Sequence, residues 1–173
     1  INCLVNNFGD DDLAILLTAI EGTSVRSLCG LTEGQTTADF SGQNLGPIDM
    51  KIMAVEYGFH GFIAAVARLI LNENPLTGGR RSDDFDTDIT GITALCDTLK
   101  TSSVTELGLA KCRLGPGSMG KLAEYVRDAE AALNSVTIDG NPIGYPSGAS
   151  VKPGAETGVA VKKGVFAAVD GRF

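Results

Sequence analysis

Apolar residues recur along this chain at two alternating spacings, first two residues apart and then three to four, which predicts short strands followed by helices. The clearest stretch runs from Val104 to Leu114, with Val104, Leu107, Leu109, Cys112 and Leu114 at the apolar or small positions. Leu107 and Leu109 are two apart and so share one face of a strand, while Glu106, Gly108 and Ala110 face the other way. The same spacing returns at Val66, Leu69, Leu71, Asn74 and Leu76, and again at Leu133, Val136, Ile138, Asn141 and Ile143. Two looser copies place Ala38, Phe40, Gln43 and Leu45, and Ile1, Cys3, Asn6 and Phe8, in the corresponding slots. The strand position therefore recurs at Ile1, Ala38, Leu69, Leu107 and Val136, and the last three steps are 31, 38 and 29 residues.

Behind four of the five copies the pattern changes period. Gly9, Gly46, Gly115 and Gly144 directly follow the last slot. After three of them come apolar trios spaced by three and four: Leu13, Leu16 and Ile20; Met50, Met53 and Tyr57; Met119, Leu122 and Val126. That spacing lines each trio along one face of a helix. Pro47 and Pro116 suit a first helical turn, where the missing N–H would be unpaired in any case. Asp10, Asp11 and Asp12 suit the positive end of the first helix. Ile92, Leu95 and Leu99 keep the spacing but arrive about eleven residues late, so Thr77 to about Asp88 is read as an insertion. Val25 to Gly30 also begins like a copy, and Leu31 to Thr37 is read as a loop that interrupts it.

The pattern L-x-x-L-x-L-x-x-[N/C]-x-L, with a helix behind it, resembles the leucine-rich repeat, and its long period resembles the ribonuclease-inhibitor type found in NOD-like receptors. The resemblance covers residues 1 to about 144. It implies an α/β solenoid, a short horseshoe with parallel strands inside and helices outside, of about five repeats. Residues 145–173 would then be a linker followed by a C-terminal cap or truncated β module: Gly and Pro punctuate its start, and it ends on the hairpin signal Asp170-Gly171. The chain opens inside a copy and has no initiator Met, as expected of a piece of a longer protein.

Charge and cysteine content narrow the function. A net charge of −7 and a pI near 4.6 argue against nucleic acid and anionic membranes as partners, since both call for a basic surface. No apolar run reaches the length of a membrane span, and no secretory leader is visible. The four cysteines include no C-x-x-C pair, and Cys3 and Cys112 fall on inward slots. Buried free thiols point to an intracellular, cytoplasmic protein.

Candidate chemistry is sparse. Asn6, Gln43, Asn74, Cys112 and Asn141 share one slot and are expected to form a structural ladder, since a buried amide can both donate to and accept from the backbone of a tight turn. Asp84, Asp86 and Asp88, in the insertion 78–88, have the alternation of a calcium loop. Ile89 then stands where the turn Gly should be, and Leu95 where the bidentate Glu should be. His60, the single histidine, has no Ser or Cys arrangement around it, and no nucleotide-binding or zinc-protease motif is present. No cofactor, metal site or catalytic residue is expected.

Function is expected on the inner strand face, where residues between the slots cannot enter the core: Asp39 and Ser41; Arg68, Ile70, Asn72 and Glu73; Glu106, Gly108, Ala110, Lys111 and Arg113; Thr137 and Asp139. This reading makes the chain a monomeric, non-catalytic scaffold that binds a protein partner through polar contacts. The alternatives are a calcium-responsive or enzymatic module built on the acidic loop, and a structural spacer in a larger protein.

Overall fold

The computed structural model describes residues 1–6, 8–58, 65–79, 81, 84–129 and 133–143. Four helices and four strands alternate within them: α1 (Asp10–Ile20), β1 (Thr37–Asp39), α2 (Pro47–Gly58), β2 (Arg68–Ile70), α3 (Thr90–Leu99), β3 (Glu106–Gly108), α4 (Pro116–Asp128) and β4 (Ser135–Thr137). The strands form one parallel sheet in the order β1-β2-β3-β4, and a helix connects each neighbouring pair. Ala38, Leu69, Leu107 and Val136 stand in register across it. All four are buried, as period-two alternation over a covered face requires.

The ladder runs on past the strands. Phe40, Leu71 and Leu109 donate their N–H groups to Ile70, Gly108 and Thr137 of the next strand at 2.8, 2.8 and 2.7 Å. Gly42, Glu73 and Lys111 repeat the pattern to Asn72, Ala110 and Asp139 at 2.9, 2.8 and 2.7 Å. The side chains of Phe40, Leu71 and Leu109 thus join the core below the sheet, with Ile138 packed partly buried beside them.

From the helix side, Met50, Met53, Tyr57, Ile92, Leu95, Leu99, Met119 and Leu122 fill the same core. Ile52 and Tyr125, helix residues outside the sequence trios, are fully buried as well. α2 packs on α3 closely enough that a Cβ on Gly91 would lie 2.0 Å from the Pro47 carbonyl oxygen. Only a residue without a side chain lets the two helix starts approach so far.

The N-terminal copy departs from expectation. Ile1 to Cys3 do not add a parallel strand beside β1: Asn2 forms an isolated antiparallel bridge with Cys29. The Cys3 N–H donates to Leu28 O at 2.7 Å, and the Gly30 N–H to Ile1 O at 2.8 Å. The cause lies in the stretch from Val25 to Leu31, whose start has the look of a further copy. Leu28, Cys29 and Leu31 are buried, and the buried Glu56 carboxylate of α2 accepts from Ser27 Oγ and the Leu28 N–H, each at 2.5 Å. Once docked there, this stretch offers its own backbone to the first residues of the chain.

α1 follows as expected, with Asp12 Oδ2 accepting the Gly9 N–H at 2.8 Å, but only Leu13 of this helix is buried. The expected cap or β module at 145–173, and His60, lie outside the described residues.

Candidate interaction face

Because each strand buries its middle residue, the residues on either side point away from the core. Register then builds two rows on the open face: Thr37, Arg68, Glu106 and Ser135, and beside it Asp39, Ile70, Gly108 and Thr137. Ser41, Asn72, Ala110 and Asp139 continue the face two residues further along. Thr37 and Ser135 belong to it although the sequence reading passed over them. Their signal was parity, since each directly precedes an inward slot, as Arg68 and Glu106 do.

The charges on this face are tied together across strands. Arg68 Nε lies 2.7 Å from Glu106 Oε2, its direct partner in the register, and Lys111 Nζ lies 2.8 Å from Glu73 Oε1. The Lys111 hydrogen bond and charge hold the Glu73 carboxyl below its usual range, and Glu73 in turn raises Lys111. Both pairs are open to solvent, where ion pairs contribute little to stability. Asp39 accepts the Ser41 hydroxyl at 2.7 Å and the Ser41 N–H at 3.0 Å, and these bonds, with Arg68 nearby, lower its pKa. Asn72 Oδ1 accepts the Ala110 N–H at 2.8 Å, so its carbonyl spans two strands. Gly108 is buried despite facing outward, because Ile70 and Asn72 lean over it: a Cβ there would lie 3.1 Å from Ile70 Cγ2 and 3.0 Å from Asn72 Oδ1.

Arg113 has a different use. Its Nη1 donates to the Gly79 carbonyl at 2.7 Å, and its own carbonyl accepts the Thr77 hydroxyl at 2.9 Å, which ties the inserted loop to the turn after β3. Within that loop Asp86 reaches the start of α4. Its Oδ1 accepts the Gly115 N–H at 2.9 Å, its Oδ2 accepts the Gly117 N–H at 2.7 Å, and Ser118 Oγ also donates to it. Asp88 accepts the N–H and hydroxyl of Thr90 at the start of α3, and Asp84 accepts the Arg81 N–H. The three carboxylates therefore serve separate backbone groups. Among the described residues no three His, Cys, Asp or Glu side chains are grouped so as to hold a metal ion.

The shared Asn/Cys slot lies behind the face, at the turns leaving the strands. Asn74 is buried, donates to Phe40 O at 2.9 Å and Leu71 O at 2.8 Å, and accepts the Leu45 N–H at 3.0 Å. Asn141 does the same two turns on, donating to Leu109 O and Ile138 O and accepting from the N–H groups of Cys112 and Leu114. Between them Cys112 Sγ donates to Leu71 O at 3.1 Å. Among the described residues Asn6 bonds within its own turn, to Cys3 O at 3.0 Å and Leu4 O at 3.3 Å. Gln43 departs from expectation, because it is exposed. The amide that reaches its neighbourhood comes from the next turn, Asn74, which already satisfies Leu45 and Phe40. On the N-terminal side the linking group is Asp49 of α2, which accepts the Val5 N–H and the Gly46 N–H, each at 2.8 Å.

All four thiols are free and buried. Burial pushes Cys112 up to about 11 and Cys96 to about 12, and raises Cys3 and Cys29 as well, so they stay protonated at neutral pH. Among the described residues no helix is long and apolar enough to cross a membrane. Neither a protein-family model nor a curated protein sequence matches the chain.

Proposed function

We propose that the parallel strands and their helices are rungs of a leucine-rich repeat solenoid of the ribonuclease-inhibitor kind, and that the chain is a non-catalytic scaffold recognising a protein partner through its open strand face. The observation that carries this reading is the register itself. It sets Thr37, Arg68, Glu106 and Ser135 side by side on the open face, one residue ahead of the fully covered row Ala38, Leu69, Leu107 and Val136. A rigid sheet holding ordered polar groups and cross-strand ion pairs offers directional contacts to a partner at small ordering cost. The acidic loop is read as a strap on α3 and α4, since Asp88 and Asp86 are engaged by N–H groups of those helix starts.

The test exchanges charges while keeping each ion pair. Arg68→Glu with Glu106→Arg inverts the pattern on the strand face, and Lys121→Glu with Glu124→Lys does the same on α4, where those residues pair at 3.0 Å. Partners cross-linked to the wild type in a cell extract and identified by mass spectrometry should persist with the helix exchange and be lost with the strand exchange. Equal recovery with all three proteins rejects the strand face as the binding site.

A further inference from the structure

We draw no further inference here: the strongest candidate, the apolar stripe of Ala14, Ile15 and Ala19 on the outward side of α1, where Ile15 is 67% exposed, carries nothing because nothing in the structure shows what covers it.

Discussion

Asn74 shows how one side chain can decide a turn. Its amide meets four backbone groups from two successive turns, Leu45 N–H, Phe40 O, Leu71 O and Asn72 O, and is itself 1% exposed. Removing it strands those groups away from water, where each unpaired one costs about 1–3 kcal/mol. Asn74→Ala is therefore expected to lower unfolding free energy in urea by at least about 2 kcal/mol, and Gln43→Ala by less than about 0.5 kcal/mol at its exposed position. Equal losses would show that the slot does not work through hydrogen bonding. A second residue-scale feature recurs directly before this slot. Val5, Gly42, Glu73, Lys111 and Gly140 all have left-handed backbones, with φ of 59, 64, 61, 55 and 70°. The turn needs that conformation at each copy, and the two glycines meet it without the strain of about 1–2 kcal/mol imposed on an L side chain. Val5 shares it, so the first copy keeps the turn of the others although the residues before it pair differently.

The starts of α1, α2 and α4 follow one rule applied in two ways. α1 and α2 each begin after a Gly whose N–H is accepted by an Asp three residues on, Asp12 for Gly9 and Asp49 for Gly46. α4 has Ser118 at that position, and Asp86 takes over from the inserted loop, accepting from Gly115, Gly117 and Ser118. A carboxylate there satisfies orphan donors and faces the positive end of the helix dipole. Asp86→Ala is expected to destabilise the protein by about 1–2 kcal/mol and to speed amide exchange in the first turn of α4. Unchanged exchange at Gly117 and Ser118 would sink the assignment. Helix packing makes a sharper prediction. Gly91→Ala would force a methyl against the Pro47 carbonyl, backbone that cannot move aside, so α2 and α3 must separate. The expected loss in a thermal melt corresponds to about 3 kcal/mol, the upper end for overpacking, whereas Ala at Gly120, where a Cβ would meet nothing within 4 Å, should be tolerated.

Across the whole molecule, the N-terminal residues are fastened to the sheet-bearing part by buried polar groups. Glu56 holds Ser27 and Leu28, those residues hold Cys3 through Leu28 O, and Asp49 holds Val5. Glu56→Ala removes the first link and leaves its donors unpaired, at a cost of about 1–3 kcal/mol. The loss should be regional: amides of Cys3 and Gly30 should exchange faster, while those of Leu71 and Leu109, inside the ladder, keep their protection. Uniform acceleration would mean that the N-terminal segment and the sheet unfold as one unit.

Much of this was legible in the chain because it rests on local chemistry. Alternation at Leu107 and Leu109 dictates a strand with one buried face, the three-then-four spacing of Met50, Met53 and Tyr57 dictates a helix, and parity alone separates Arg68 and Glu106 from the core. Pairings between distant residues were decided only by tertiary structure. No spacing rule relates Asp86 to Gly115, Glu56 to Leu28 or Arg113 to Gly79, because each joins groups that meet only after the helices have packed. For the same reason Gln43 lost its expected place, its neighbours' backbone groups being already satisfied by Asn74 from the following turn. The N-terminal residues pair antiparallel through Asn2 and Cys29 for a similar cause: a docked loop supplied hydrogen-bond partners nearer than β1, and backbone groups leaving water pair with whatever the packed chain brings within reach.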